Sequence, residues 1–307
     1  MLRGAPQVLA TEVGVVEGPL WFDGSLWCTR ISHGGAILQL TERGAEDRID
    51  TGGGANGLAV DRHGTFWIAN DGGRGKIPSC IQRAVPDRQG GVVGAEAVIE
   101  DVGGRPFRHC NDLCFGPDGF LYFTDSGENY SASKALVDAG KPPELPGFVC
   151  RLNPEDRSVE VVDESLYMPN GLAFSPDNRY LYVSDTVAHE IVAFPWDDGR
   201  LGPRERTLSI DGNPDGFCFG NDGRIYTSTA IAGEIHVITQ EGVVDERIRW
   251  ADDAIPLNCC FGGTDGSTLY VTDAGGMPNV AQSPDADRSL ERLVALPMDV
   301  AGLPLHG

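Results

Sequence analysis

Six oxygen-bearing side chains open six similar segments of this sequence, at spacings of 39, 55, 59, 45 and 43 residues. They are Glu17, Asn56, Asn111, Asn170, Asp215 and Asn258. Two carboxylates and four carboxamides, with no Lys or Arg among them, are hard oxygen donors of the kind that Ca²⁺ prefers. Zn²⁺ more often takes His or Cys, which this set lacks. We therefore expect one divalent cation, with Ca²⁺ favoured and Zn²⁺, Mn²⁺ or Mg²⁺ as alternatives.

The same side chains also have a purely structural interpretation as turn residues. Asn-Gly and Asp-Gly are favoured turn pairs, and Asn56, Asn170 and Asp215 each precede a glycine. Glu17 does not fit this interpretation, because Glu is a poor turn residue and yet occupies the equivalent place. The pattern therefore favours a metal site over a series of turns.

The elements that must position these residues are short strands. Each polar residue begins an apolar run, a turn rich in Asp and Gly, and a second apolar-aromatic run, as in NGLAVDRHGTFWIAND from Asn56. Further β-type runs lie between the copies, so each repeat supplies the four strands of one propeller blade. Six copies in 307 residues predict an all-β fold, a six-bladed β-propeller with four antiparallel strands per blade. Equivalent positions of the blades lie on a ring, so the six polar side chains should converge at one mouth of the central channel.

The repeats fill the chain, so we expect a single propeller domain over residues 1–307. Its longest insertion, from Ser126 to Phe148, should be a surface loop, with a short stretch of helical spacing from Ser131 to Ala139. The content of 41 Gly and 20 Pro fits a fold with many turns.

The net charge of −21 excludes several partners, since 45 acidic residues oppose 24 basic ones. Such a surface repels both nucleic acid and anionic membranes. The N-terminal residues lack an apolar signal region, and no run is long enough to span a membrane. The eight cysteines show neither C-x-x-C nor zinc spacing, so we expect free structural thiols. These features predict a cytoplasmic protein, either a monomer or a weak homo-oligomer.

Other hydrolytic chemistries lack their motifs in this sequence. The six histidines include no H-E-x-x-H pair, and no G-x-S-x-G segment is present to supply a nucleophilic serine. Among the histidines only His109 lies beside one of the six polar positions, so it alone is a candidate for a role in the site.

Five motifs, in order along nearly the whole chain, resemble one family. They are Glu17-Gly18-Pro19-Leu20-Trp21, Asn111-Asp112, Pro169-Asn170-Gly171-Leu172, Pro214-Asp215-Gly216, and Phe261-Gly262-Gly263-Thr264-Asp265 followed by Leu269-Tyr270-Val271-Thr272. The sequence is similar to the senescence marker proteins, gluconolactonases and luciferin-regenerating enzymes, which are sugar-lactone hydrolases on six-bladed propellers.

The resemblance implies specific ligands. Glu17, Asn170 and Asp215 would hold the cation, and Asn111 would join them directly or through water and would also contact the substrate. The chain departs from the family at the Arg that contacts substrate hydroxyls two residues before the N-D Asn. His109 stands there, and Arg108, one residue earlier, is a shifted substitute.

Two further substrate positions follow from the comparison with the family and from the ring. The acidic residue that family members place downstream in the same blade has only Glu128 and Asn129 as candidates. Asn56, as a member of the ring, is a further candidate for binding substrate.

These residues suggest hydrolysis of a lactone, most simply an aldonolactone of the gluconolactone type. The cation would polarise the ester carbonyl, and Asp215 would act as general base. Two alternatives remain. One is hydrolysis of phosphorus esters, as in diisopropyl fluorophosphatase-type propellers, which use the same four ligand types. The other is a non-catalytic binding propeller, which predicts no bound metal.

Overall fold

A computed structural model describes residues 1–73, 76–127, 130–142, 145–275 and 290–305. They form six small antiparallel sheets, arranged as the blades of a six-bladed β-propeller. The fold class predicted from the repeats is therefore confirmed, and each blade has four main antiparallel strands.

The first three blades follow the order of the chain. Strand β1 (Gln7–Thr11) precedes blade 1, which contains β2 (Val16–Phe22), β3 (Ser25–Arg30), β4 (Ala36–Thr41) and β5 (Gly44–Asp50). Blade 2 contains β6 (Ala55–Val60), β7 (Phe66–Asn70), β8 (Cys80–Ala84) and β10 (Glu96–Ile99), while β9 (Val93–Gly94) adds in parallel to the edge of blade 1. A separate hairpin, β11 (Asp101–Val102) and β12 (Arg105–Pro106), leads to blade 3, which contains β13 (Cys110–Phe115), β14 (Leu121–Asp125), β15 (Phe148–Leu152) and β16 (Val159–Asp163).

The last three blades complete the circle. Blade 4 contains β17 (Pro169–Phe174), β18 (Tyr180–Asp185), β19 (Glu190–Asp197) and β21 (Arg206–Ser209), with β20 (Arg200–Leu201) pairing the end of β19. Blade 5 contains β22 (Pro214–Phe219), β23 (Ile225–Thr229), β24 (Glu234–Ile238) and β25 (Val244–Ile248). Blade 6 contains β26 (Pro256–Gly262), β27 (Thr268–Ala274) and β28 (Glu291–Pro297), and β1 is its outer strand.

Pairing of β1 with β28 joins the two ends of the chain in one sheet. The first strand of each blade lies innermost, and β2, β6, β13, β17, β22 and β26 contact one another in that cyclic order. These contacts bring the beginnings of all six inner strands around one axis.

The hydrophobic core is divided into layers between neighbouring blades. One layer packs Trp67 of blade 2 against Phe115 of blade 3, with ring centroids 6.3 Å apart. The junction that closes the circle stacks Trp21 of blade 1 on Tyr270 of blade 6 at 5.4 Å. Because every blade is packed on both faces, the inner strands are held rigidly enough to support a site.

The described residues contain one helix, α1 (Tyr130–Asp138), where the sequence predicted helical spacing in the insertion. No helix among the described residues is long and apolar enough to cross a membrane. All eight cysteines are free thiols, as predicted.

Candidate active site

The ring residues lie on bulges of the inner strands. In blade 2, Ala55 pairs with Asn70 and Leu58 pairs with Ile68, so one extra residue is accommodated around Asn56. The same shift recurs in five blades, around Glu17, Asn56, Asn111, Asn170 and Asp215. A bulge of this kind redirects a side chain out of the regular alternation. The sequence-predicted ring is therefore reproduced in these five blades.

Blade 6 corrects the prediction for Asn258. There Pro256 pairs with Asp273 and Asn258 with Thr272, which puts Leu257 at the ring position. The backbone N–H of Asn258 donates to Thr272 Oγ1, just as that of Asp112 donates to Thr124 Oγ1. Asn258 is therefore equivalent to Asp112, one residue beyond the ring. The prediction was wrong because it aligned the asparagine rather than the bulge.

Hydroxyl groups of each preceding blade hold several ring residues in place. Thr124 Oγ1 donates to the carbonyl of Asn170 at 2.7 Å, and Ser184 Oγ donates to that of Asp215 at 2.8 Å. Thr29 makes the same contact with the carbonyl of Asn56. These hydroxyls are buried, so the positions of the ring residues depend on the second strand of the neighbouring blade.

Aspartates at the ends of second strands fix the segments that lead into the ring. Asp125 Oδ2 accepts hydrogen bonds from the backbone N–H groups of Arg108 (2.7 Å) and His109 (3.2 Å). Asp185 does the same for Tyr167 and Met168. Asp125 and Asp185 belong to the excess of acidic residues in the chain. They therefore have a structural role, because they fix the position of the segments that lead into the ring.

The carboxylates of Glu17, Asp112 and Asp215 converge at the ring. Burial raises the pKa of Glu17 well above its ordinary range, and the charges of Asp215 and Asp112 raise it further. Burial also raises the pKa of Asp215 to about 7, with a contribution from the charge of Asp112. The pKa of Asp112 is raised by burial to about 6. Among the described residues, no Lys or Arg contributes to the pKa of any of the three.

This donor set fits a divalent cation. Buried carboxylates that lack a positive partner are unfavourable, and a cation bound by carboxylate and amide oxygens removes that cost. A polar contact with Asn170 lowers the pKa of Asp215, which places a carboxamide beside that carboxylate. Within the described ranges no three His, Cys, Asp or Glu side chains form a metal-binding cluster. A site here would therefore rest on two carboxylates, Glu17 and Asp215, together with amide oxygens.

A polar cavity of about 240 Å³ adjoins the ring. Its lining comprises Asn56, Asp71, His109, Asn111, Ser126, Tyr130 and Met168. Three of the candidate substrate residues, Asn56, His109 and Asn111, therefore share one cavity. Arg108 is exposed and is not part of this lining.

The start of α1 contributes to the wall of this cavity through Tyr130. Asn213 Nδ2, two residues before Asp215, donates to the Tyr130 hydroxyl at 3.1 Å. The insertion is thereby tied to blade 5 beside the ring. Glu128 and Asn129, the candidates for the acidic substrate position, lie outside the described residues.

A second cavity, of about 200 Å³, reaches Asp112 and Asn258 but is otherwise mainly apolar. Its walls include Phe174 and Phe219, and residues 303–305 line it. It offers few groups for hydrolysis, so the polar cavity is the better candidate for the active site.

Sequence reasoning missed the site roles of Asp112, Asp71 and Tyr130. Asp112 could have been found, because the ring residue is followed by glycine in four of the other blades and by Asp in blade 3. Glycine is required in blade 4, where a Cβ on Gly171 would lie 2.7 Å from the carbonyl oxygen of Asp215. Asp71 and Tyr130 carry no signal, because they reach the cavity from outside the repeated motif.

Comparison with known proteins identifies one family and a relative that matches most of the chain. Residues 15–275 match the family described as the SMP-30/Gluconolactonase/LRE-like region. A gluconolactonase of Zymomonas mobilis is 28% identical over 297 residues, covering 87% of this chain and 78% of the relative.

Two solved structures have a fold similar to that of this chain. The gluconolactonase XC5397 of Xanthomonas campestris is 28% identical with a TM-score of 0.72, covering 95% of this chain and 89% of that one. The calcium-binding protein regucalcin of Agrobacterium tumefaciens has a TM-score of 0.75 at 20% identity, covering 98% and 96% of the two chains. At that identity the likeness supports the fold alone.

Proposed function

The chain belongs to the SMP-30/gluconolactonase/LRE-like family, and from this premise we propose that it hydrolyses a sugar lactone to the corresponding hydroxy acid. Two relatives named as gluconolactonases, each 28% identical over most of both chains, support this proposal. We propose further that the reaction depends on a divalent cation.

One observation carries the proposal. Glu17 and Asp215 are far apart in the chain, yet the charge of Asp215 raises the pKa of Glu17. Two other ring residues, Asn56 and Asn111, line a polar cavity. A purely structural ring would gain nothing from the repulsion between the buried Glu17 and the partly buried Asp215. A hydrolytic site, in contrast, uses such carboxylates to bind a cation and to accept a proton.

We assign the cation to Glu17, Asn170 and Asp215, with Asn111 beside them. When bound, a divalent cation supplies a Lewis acid that stabilises negative charge on the carbonyl oxygen of the ester. Ca²⁺ suits this set of oxygen donors best.

The side chains of the protein supply the remaining functions. Asp215 is the general base that removes a proton from the attacking water. Asp215 accepts this proton in its ionised form, which a cation bound beside it would favour. Its carbonyl is held by Ser184, which keeps the carboxylate aimed at the ring.

The polar cavity orients the substrate. His109, Asn56 and Asn111 offer hydrogen-bonding groups for the hydroxyls of a sugar lactone, and Tyr130 and Met168 provide less polar surface beside them. A mixture of this kind suits a polyhydroxylated ring, whose faces are partly apolar.

The test begins with protein stripped of metal by a chelator, followed by elemental analysis and addition of single cations. Five- and six-membered aldonolactones and one aryl phosphotriester are then compared with a pH-indicator assay. We expect hydrolysis of at least one aldonolactone, restored by Ca²⁺ or another divalent cation.

The outcomes separate the parts of the proposal. Full activity in stripped protein would contradict the metal dependence. Cation binding without hydrolysis of any lactone would contradict the lactonase assignment, and faster turnover of the phosphotriester would favour the phosphorus-ester alternative.

A further inference from the structure

The side-chain amide of Asn258 lies between two of the buried carboxylates. Asn258 Nδ2 donates to Asp112 Oδ2 at 3.2 Å, although the two residues are 146 positions apart in the chain. The same amide makes a polar contact with the carboxylate of Glu17. Asn258 is itself buried, with 6% of its surface exposed.

The orientation of this amide is fixed by its surroundings. Asn258 Oδ1 accepts a hydrogen bond from the backbone N–H of Cys259 at 2.8 Å. With the oxygen held by a donor and the nitrogen facing a carboxylate, rotation of the amide would break both contacts. The amide nitrogen is therefore the group turned toward Asp112 and Glu17.

The two carboxylates are also held individually. Asp112 Oδ1 accepts from the backbone N–H of Leu113 at 2.8 Å, and Glu17 Oε2 accepts from that of Gly18 at 3.0 Å. Asn258 supplies the contact that joins them. A neutral donor between two negative groups reduces their repulsion and limits the directions that each can take.

We propose that Asn258 is a positioning residue for the cation site, which holds the Glu17 carboxylate toward the ring and does not itself ligate the ion. The inference rests on the cation site of the proposed function. This positioning role differs from the ligand role that the sequence suggested for Asn258, because the side-chain oxygen of Asn258 accepts a hydrogen bond from the backbone of Cys259. The residue acts through Glu17.

The test measures Ca²⁺ affinity by calorimetric titration of the chelator-stripped full chain, comparing wild type with Asn258→Leu. Leucine has a similar size and no hydrogen-bonding groups. We expect the Kd for Ca²⁺ to rise at least tenfold. The matched control is Thr272→Val, which removes the hydroxyl that contacts the backbone of Asn258 but leaves its amide in place. It should change the Kd less than threefold, even if the variant is less stable.

The possible results distinguish the positioning role of Asn258 from the existence of the cation site. Equal Ca²⁺ affinity of Asn258→Leu and wild type would overturn the positioning role alone. A wild type that binds no divalent cation would overturn the cation site and this inference with it. If the leucine variant does not fold, Asn258→Ser, which is smaller and too short to join both carboxylates, is measured against the same expectation.

Discussion

Thr124 of blade 3 donates a hydrogen bond from its hydroxyl to the carbonyl oxygen of Asn170 in blade 4, at 2.7 Å. The same hydroxyl accepts from the backbone N–H of Asp112 at 3.1 Å. One buried side chain therefore connects a predicted ligand of one blade with an acidic residue of another. The geometry of the ring depends on such contacts between blades as much as on the ring residues themselves.

Replacing Thr124 by valine should lower the free energy of unfolding by about 1–3 kcal/mol, because it leaves buried backbone groups without their partner. The measurement is urea unfolding followed by circular dichroism. The matched control is Ser228→Ala at the equivalent position of blade 5. Within the part of the chain that the structure describes, the buried Ser228 hydroxyl has no hydrogen-bond partner. Its removal should cost much less, and equal losses for the two variants would contradict the role assigned to Thr124.

Much of the fold could be predicted because each repeat encodes its own turns. In the hairpin of blade 2, Asp61 accepts from the backbone N–H groups of His63 and Thr65, and Gly64 adopts a positive φ of 79°. These requirements are local, so they leave a visible pattern of Asp and Gly. Counting the patterns was enough to predict six blades.

The site could be predicted only in part. The position of the ring residue in blade 6 could have been inferred from the sequence. A proline precedes the ring residue in three blades, as Pro169-Asn170, Pro214-Asp215 and Pro256-Leu257. The contact of Asn258 with Asp112 was not available. It forms between residues of two different blades when the propeller closes, and no spacing along the chain encodes it.

Stability of the metal-free protein should fall as the pH rises from about 4 to about 7. Burial raises the pKa of Asp112 to about 6 and that of Asp215 to about 7, whereas both groups titrate near 4 in the unfolded chain. Over this interval the folded protein binds more protons than the unfolded one, so ionisation disfavours folding. The penalty from these two aspartates is absent below about pH 4 and complete above about pH 7.

Urea midpoints of chelator-stripped protein at pH 5 and pH 8 measure this effect, and Ca²⁺ should raise the midpoint at pH 8. Asp215→Asn provides the control for general repulsion by the net charge of −21, which it changes by only one unit. The variant should lose less stability between the two pH values than wild type. An identical loss in both proteins would show that Asp215 does not carry the effect.

Asp215→Asn should reduce kcat/KM for the best lactone by at least about 100-fold, because an amide cannot accept the proton from water. In metal-free protein its melting temperature should not fall, since the substitution removes a partly buried charge that has a raised pKa. The control in the same blade is Asp222→Asn, which alters a hairpin turn where Asp222 accepts from Arg224 and Tyr226. That variant should lose stability but keep its turnover. Retention of most activity by Asp215→Asn would contradict the assignment of the base.

His109 and Arg108 should differ in their effect on substrate binding, although they are neighbours in the chain. Asp125 holds the backbone of both, but only the side chain of His109 lines the polar cavity, where its Nδ1 lies 3.1 Å from the carbonyl oxygen of Gly127. His109→Ala should therefore raise KM about tenfold. This change corresponds to a loss of about 1.4 kcal/mol of binding free energy, which is the contribution of one hydrogen bond. Arg108→Ala should raise KM less than threefold, because the Arg108 side chain lies outside the cavity. Steady-state kinetics on one lactone measure both effects, and a larger effect of Arg108→Ala would mean that the substrate extends beyond this cavity toward the exposed arginine.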